Sequence, residues 1–119
     1  VSRIPAFIES CNAAVLEVVP TAEFVIFGHV GDGNLHYSVC EPAGAKTPVL
    51  KAHVDAITRV VFNQTMAHGG SISAEHGVGR LKRDELARLR PPAATEAMRA
   101  IKRALDPLGI MNPGRVVSA

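Results

Sequence analysis

Tryptophan is absent from this chain, and aromatic residues make up only 4% of it, as one tyrosine and four phenylalanines. Those few do not interleave with basic residues, so no stacking platform for nucleobases is encoded. An excess of one charge is also missing. With 13 Lys and Arg against 11 Asp and Glu, the formal net charge is +2, too little to argue for nucleic acid or an anionic membrane surface. No apolar run approaches the roughly 20 residues needed to span a bilayer, and no signal peptide opens the chain. The 2 cysteines, Cys11 and Cys40, form no C-x-x-C pair. They read as small buried thiols in a reducing compartment, which makes the cytoplasm the expected location.

What is present suits one soluble domain. The 119 residues are 47% hydrophobic and 20% charged, near the modal domain size and sufficient for a core. Ile4, Phe7, Ile8, Cys11, Val15 and Val18 recur at helical spacing, with Pro5 tolerated in the first turn and Pro20 beyond the end. Residues 23–30 and 34–40 read as two strands, and 41–48 as a loop. A second helix is expected over about 48–68, stopped by Gly69-Gly70. Ser71-Ile72-Ser73 reads as a short strand or extended segment, and Arg83 to Arg90 as a short helix. After Pro91-Pro92 a further helix should turn Ala94, Met98, Ile101, Leu105 and Leu108 inward, closed by Gly109.

This order implies an α+β fold, a partial ferredoxin-like antiparallel sheet with flanking helices and a C-terminal helical tail. The first strand of such a unit is missing, which would leave an unpaired sheet edge. With no initiator Met and a helix that starts almost at once, the chain is expected to be a fragment of a longer polypeptide.

The most informative stretch is Gly28-His29-Val30-Gly31-Asp32-Gly33-Asn34-Leu35-His36. Asp-Gly is a strong hairpin signal, because two-residue turns need positive φ at both central positions. A turn centred there would pair Gly31 with Asn34, Val30 with Leu35 and His29 with His36. Residues directly opposite share a face with Cβ atoms roughly 5 Å apart, so the two imidazoles could chelate one metal ion. Asp32 and Asn34 also satisfy the turn's own requirements.

Glu75 is the natural third ligand. Two histidines and a carboxylate suit a divalent first-row metal and leave positions open for substrate. Adjacent strand residues point to opposite faces, so His76 can join Glu75 only if the backbone bends, which Gly77 and Gly79 permit. Arg80, Lys82 and Arg83 could meet a carboxylate or phosphate, or could simply begin a solvated helix. Gly77-Val78-Gly79 is too short a glycine pattern for a phosphate loop.

The runs Phe27 to His36, Ser71 to Gly79 and Asp106-Pro107-Leu108-Gly109-Ile110-Met111-Asn112-Pro113-Gly114-Arg115-Val116 resemble the C-terminal domain of FAD-linked oxidases. That group lies within the vanillyl-alcohol oxidase superfamily and includes D-2-hydroxyglutarate dehydrogenase, D-lactate dehydrogenase and the glycolate oxidase flavin subunit. The resemblance covers essentially all of residues 1–119 and implies a cap or substrate domain whose FAD-binding domain lies elsewhere in the parent chain. It implies His29, His36 and Glu75 as metal ligands, His76 as catalytic base and substrate contact, and Asn34 as a substrate-side polar group. Asn112 falls in the segment that approaches the flavin. Ser38 departs from the pattern, standing where the hydroxyglutarate-type members are expected to carry Asn.

The implied activity is oxidation of a small D-2-hydroxy acid with FAD and a divalent metal, zinc first, with manganese, cobalt or iron as alternatives. Implied partners are that substrate and the N-terminal FAD-binding domain, with no nucleic acid and no membrane span; a homodimer is left open. The isolated fragment should be inactive. Two rivals need no flavin. A non-catalytic metal-binding or interaction module would close its site with a fourth ligand, for which only His53 and His68 remain among the histidines. A metal hydrolase would use metal-bound water, but no H-E-x-x-H helix is present.

Overall fold

The helical apolar stripe that begins at Ile4 forms α1 (Ile4–Val18) in the computed structural model, which describes residues 1–118. Pro5 lies in its first turn, where a missing N–H breaks no helical hydrogen bond. Cys11 and Val15 are fully buried along its inner face. The helix ends before Pro20, with the Val19 N–H donating to Val15 O at 2.9 Å. The described residues divide into two units, 1–71 and 72–118.

In the first unit, β1 (Glu23–Phe27) and β2 (His36–Cys40) form an antiparallel two-stranded sheet. The expected helix over about 48–68 is α2 (Leu50–Ala67). Its own N-cap residue supplies no side-chain hydrogen bond. Glu41, from the preceding loop, accepts the Val49 and Leu50 N–H groups at 2.6 and 2.7 Å instead. A carboxylate there also meets the positive end of the helix dipole. Val15, Val19, Ala22 and Ile57 make the core, with Phe24, Tyr37 and Val39 packed on it from the sheet. The alternation of β1 turns Phe24 and Ile26 inward and leaves Val25 and Phe27 exposed.

The hairpin register differs from expectation. Phe27, not His29, lies opposite His36, and Ile26 lies opposite Tyr37. Residues 28–35 therefore form a wide loop containing a single 3₁₀ turn, Val30–Asp32. The physical reason lies in φ: Gly33 is left-handed at 75°, but Asp32 is not among the non-glycine residues with positive φ. A two-residue turn of the expected type needs both. The Asp32 and Asn34 N–H groups both donate to His29 O, at 2.9 and 3.1 Å, which closes the loop without strand pairing.

The second unit carries α3 (Arg83–Leu89) and α4 (Pro92–Leu105), close to the expected spans. Of the two readings offered for 71–73, the strand is not formed, and one expectation about α4 fails. Residues 71–73 form no strand, and the sheet has only its two strands among the described residues. The Ser73 hydroxyl instead donates to Gly77 O at 2.6 Å and rounds the segment into a loop. Of the stripe expected to face inward, only Met98 is even half-buried: Ala94 is exposed, Ile101 and Leu105 are 60% and 76% exposed, and Leu108, beyond the end of α4, is 80% exposed. Within this unit the buried residues are Leu86, Thr95, Asp106 and Val117, so that stripe has no covering layer there.

Replacing Val15 by Ala should cost about 2 kcal/mol, from lost burial and an unfilled cavity. The same change at Val25, 52% exposed, should stay within about 0.5 kcal/mol. Urea denaturation of both variants checks the contrast.

Candidate active site

The first unit positions three of the singled-out residues around the 28–35 loop. His29 is exposed and lies just before the 3₁₀ turn, while Asn34 and His36 are half-buried. His36 begins β2 and stacks on Phe27, with ring centroids 5.0 Å apart and planes at 21°. Phe27 thus occupies the cross-strand position that the expected register had given to His29. Gly28 is needed where it stands: at φ 146°, an added Cβ would lie 2.6 Å from Asn34 O. The loop can therefore close only over a residue without a side chain.

The remaining histidines of this unit lie on α2 and at its end. His68 has its Nδ1 2.9 Å from Gln64 O, its Nε2 3.5 Å from the Ser10 hydroxyl, and its ring edge-on to Phe7. It packs the end of α2 against α1. His53 is exposed on α2.

In the second unit, the bend that the Glu75-His76 pair requires is present. Gly77 and Gly79 are left-handed, at φ 72° and 56°. His76 Nε2 lies 3.8 Å from Glu75 Oε2, so neighbouring side chains converge rather than diverge. Lys82 closes the base of this loop, donating to Ile72 O at 3.1 Å and to the Ser73 hydroxyl at 3.4 Å. Arg80 donates to Pro113 O and Arg83 to Gly114 O, each at 3.2 Å. All three cations that could have met a substrate anion thus hold backbone carbonyls.

Asn112 lies in the terminal coil with a left-handed φ of 48°. It lines an open apolar groove of about 410 Å³ formed with Met98, Ile101, Leu105 and Val117. Asp106, which sequence reasoning passed over, anchors that coil. Its carboxylate is buried, pairs with Lys102, and accepts the Ile110 and Met111 N–H groups at 3.0 and 2.9 Å. Lys102, with these N–H donors, holds the Asp106 carboxyl below its usual range. The Asp-Pro-x-Gly run was the available signal, since Asp before a turn commonly binds the backbone ahead of it.

The proposed metal ligands fall in different units, His29 and His36 in the first and Glu75 in the second. Among the described residues, no group of three or more His, Cys, Asp or Glu side chains is placed to hold a metal ion. No described helix is long and apolar enough to cross a membrane.

The chain belongs to the family described as FAD linked oxidases, C-terminal domain, whose model matches residues 1–116. It is 44% identical over 119 residues to a D-2-hydroxyglutarate dehydrogenase of Stutzerimonas stutzeri, covering 100% of this chain and 26% of that protein. A protein of the same name from Xanthomonas citri is 37% identical over 116 residues, 98% of this chain and 25% of that protein. The mitochondrial D-2-hydroxyglutarate dehydrogenase of Bos taurus is 42% identical over 99 residues, 82% of this chain and 17% of that protein. The chain therefore spans about a quarter or less of the length of these relatives.

Because the folded-state pKa of Asp106 is depressed, its contribution to stability should be fully present above the ordinary value of 3.8 and be lost as pH falls through the lower folded value. Urea denaturation of the wild type and Asp106→Asn, followed from about pH 6 to about pH 2, should show a gap that narrows towards acid. A gap that widened on acidification would contradict the anchoring role.

Proposed function

We propose that this chain is the C-terminal, substrate-side domain of a flavin-dependent dehydrogenase that oxidises a D-2-hydroxy acid to the 2-oxo acid. The single observation that carries the reading is the bent Glu75-His76 loop, with a carboxylate and an imidazole 3.8 Å apart, in a chain of this family. The names of its relatives supply the substrate class. Domain bounds of 1–119 and an FAD-binding domain outside them are part of the same proposal. The exposed apolar stripe of α4 accords with a further domain covering it. The cytoplasm is the proposed compartment, with the mitochondrial label of the bovine relative as the alternative that cell fractionation decides.

In this reading His76 takes the α-hydroxyl proton at a ring nitrogen as general base. Asn34 hydrogen-bonds the substrate carboxylate, and Asn112 contacts the cofactor side. His29, His36 and Glu75 would hold a divalent metal, zinc first and manganese, cobalt or iron otherwise. The chemistry of that donor set fits such an ion. When bound, the metal supplies Lewis acidity that lowers the hydroxyl pKa. FAD, when bound, supplies the two-electron acceptor for hydride from C2.

The test uses the full-length flavoprotein that carries this chain. D-lactate or D-2-hydroxyglutarate should be turned over far faster than 1-propanol, with oxalate competing and a chelator abolishing activity. His29→Ala and Glu75→Ala should lose metal, measured by elemental analysis, along with turnover. His76→Ala should keep the metal and lose ~10²–10⁴-fold in kcat. Equal use of the alcohol, or indifference to the chelator, would remove the metal from the reaction. Loss of metal in His76→Ala would make that residue a ligand instead.

A further inference from the structure

Two short segments of the second unit turn through left-handed residues, and they are fastened to each other. Gly77 and Gly79 are left-handed in the first segment, and Asn112 and Val116 are left-handed in the second, Val116 at φ 65°. A β-branched residue at positive φ is an outlier that persists only where its surroundings hold it, and such strain gathers at functional sites. Here the holding contacts are visible. The Val116 N–H donates to Gly79 O at 2.8 Å. Arg80 and Arg83 donate to Pro113 O and Gly114 O, each at 3.2 Å. The Arg83 guanidinium is itself oriented by Asp84, 2.9 Å away. An added Cβ on Gly114 would lie 3.4 Å from Arg83 Nη1, so the guanidinium occupies the space beside that glycine. Asp106 holds the opposite flank of the same coil through the Ile110 and Met111 N–H groups.

We propose that Arg80 and Arg83 are positioning residues: they fasten the loop bearing Glu75 and His76 to the turn bearing Asn112, and so set the spacing of the two motifs. This rests on the function proposed above, in which His76 and Asn112 serve one reaction. Neither arginine touches substrate. Both give their charge to carbonyl oxygens, and a charged donor makes a stronger hydrogen bond than a neutral one. The guanidinium fork matters more at Arg83, which serves Asp84 and Gly114 together.

The experiment compares the full-length flavoprotein with its Arg80→Met/Arg83→Met and Arg83→Lys variants. Methionine keeps an apolar stem and removes the donors. Flavin content and melting temperature establish that the variants fold; if the double variant does not, Arg80→Met alone carries the test, since that side chain is exposed. Amide exchange should quicken in residues 73–79 and 112–117, with α3 and α4 unchanged. With D-2-hydroxyglutarate, kcat should fall about tenfold or more while KM moves less than about threefold, because misplacement of reacting groups acts on the chemical step. Arg83→Lys, which keeps the charge and Arg80 but lacks the fork, should fall between wild type and the double variant in both exchange and kcat. Unchanged exchange in both segments overturns the clamp. Altered exchange with kcat within about twofold of wild type overturns the positioning role. A wild type that oxidises no 2-hydroxy acid defeats the proposed function and the positioning role with it, while exchange still judges the clamp by itself.

Discussion

An antiparallel pair of strands standing alone is marginal in water, and the first unit is arranged around that constraint. The hairpin has one apolar face and no third strand among the described residues, so its inner side chains must be covered by helices. Val15 and Val19 at the end of α1 and Ile57 in α2 provide the cover, with Phe24, Tyr37 and Val39 beneath. Tyr37 ties the layers further, donating its hydroxyl to Asn12 Oδ1 at 2.6 Å while its ring meets Phe7 and Phe24. Burial holds the Tyr37 phenol far above its usual range, and the neighbouring Cys11 thiol, also raised, adds to the effect. Neither group ionises near neutral pH, so the interface stays uncharged. The loop that carries His29 and Asn34, and His36 at the start of β2, therefore depend on strands whose position the helices decide.

The second unit follows a different logic. Its buried apolar residues are few, Leu86 and Val117 among them, and its loops are held by charge. Lys82, Arg80 and Arg83 donate to carbonyl oxygens of turns, and Asp106 accepts N–H groups of another. Left-handed turns leave carbonyl and N–H groups pointing outward, where neither helix nor sheet can pair them. Long side chains on a short helix and its approach can reach them. This makes the loop geometry depend on a handful of polar contacts rather than on bulk packing. It also leaves the apolar stripe of α4 uncovered within the unit, consistent with a chain that spans about a quarter or less of its relatives' length.

The local elements were legible because local rules govern them. Helical spacing, proline in first turns and glycine after last ones placed all four helices to within a few residues. The bend at Glu75-His76 could be read from Gly77 and Gly79, since only a turn brings adjacent side chains together. The family was legible from the order of its motifs. The turn at Asp32-Gly33 was legible only as a turn: Gly33 went left-handed, Asp32 did not, and the strand register followed.

What the sequence determined by itself was thus the set of helices, the positions of the turns, the residue types with site chemistry and the family. What only the tertiary structure decided was pairing: which residue faces His36, whether 71–73 joins the sheet, and where the cations of 80–83 spend their charge. A strand register depends on the dihedral state of every residue in the connecting loop, and a shift of two residues keeps the same faces buried, so the hydrophobic pattern cannot distinguish the alternatives. A cation near a site reads the same in sequence whether it meets a substrate or a backbone carbonyl. The distinction depends on distances of about 3 Å between segments some thirty residues apart, and these exist only once the chain has folded.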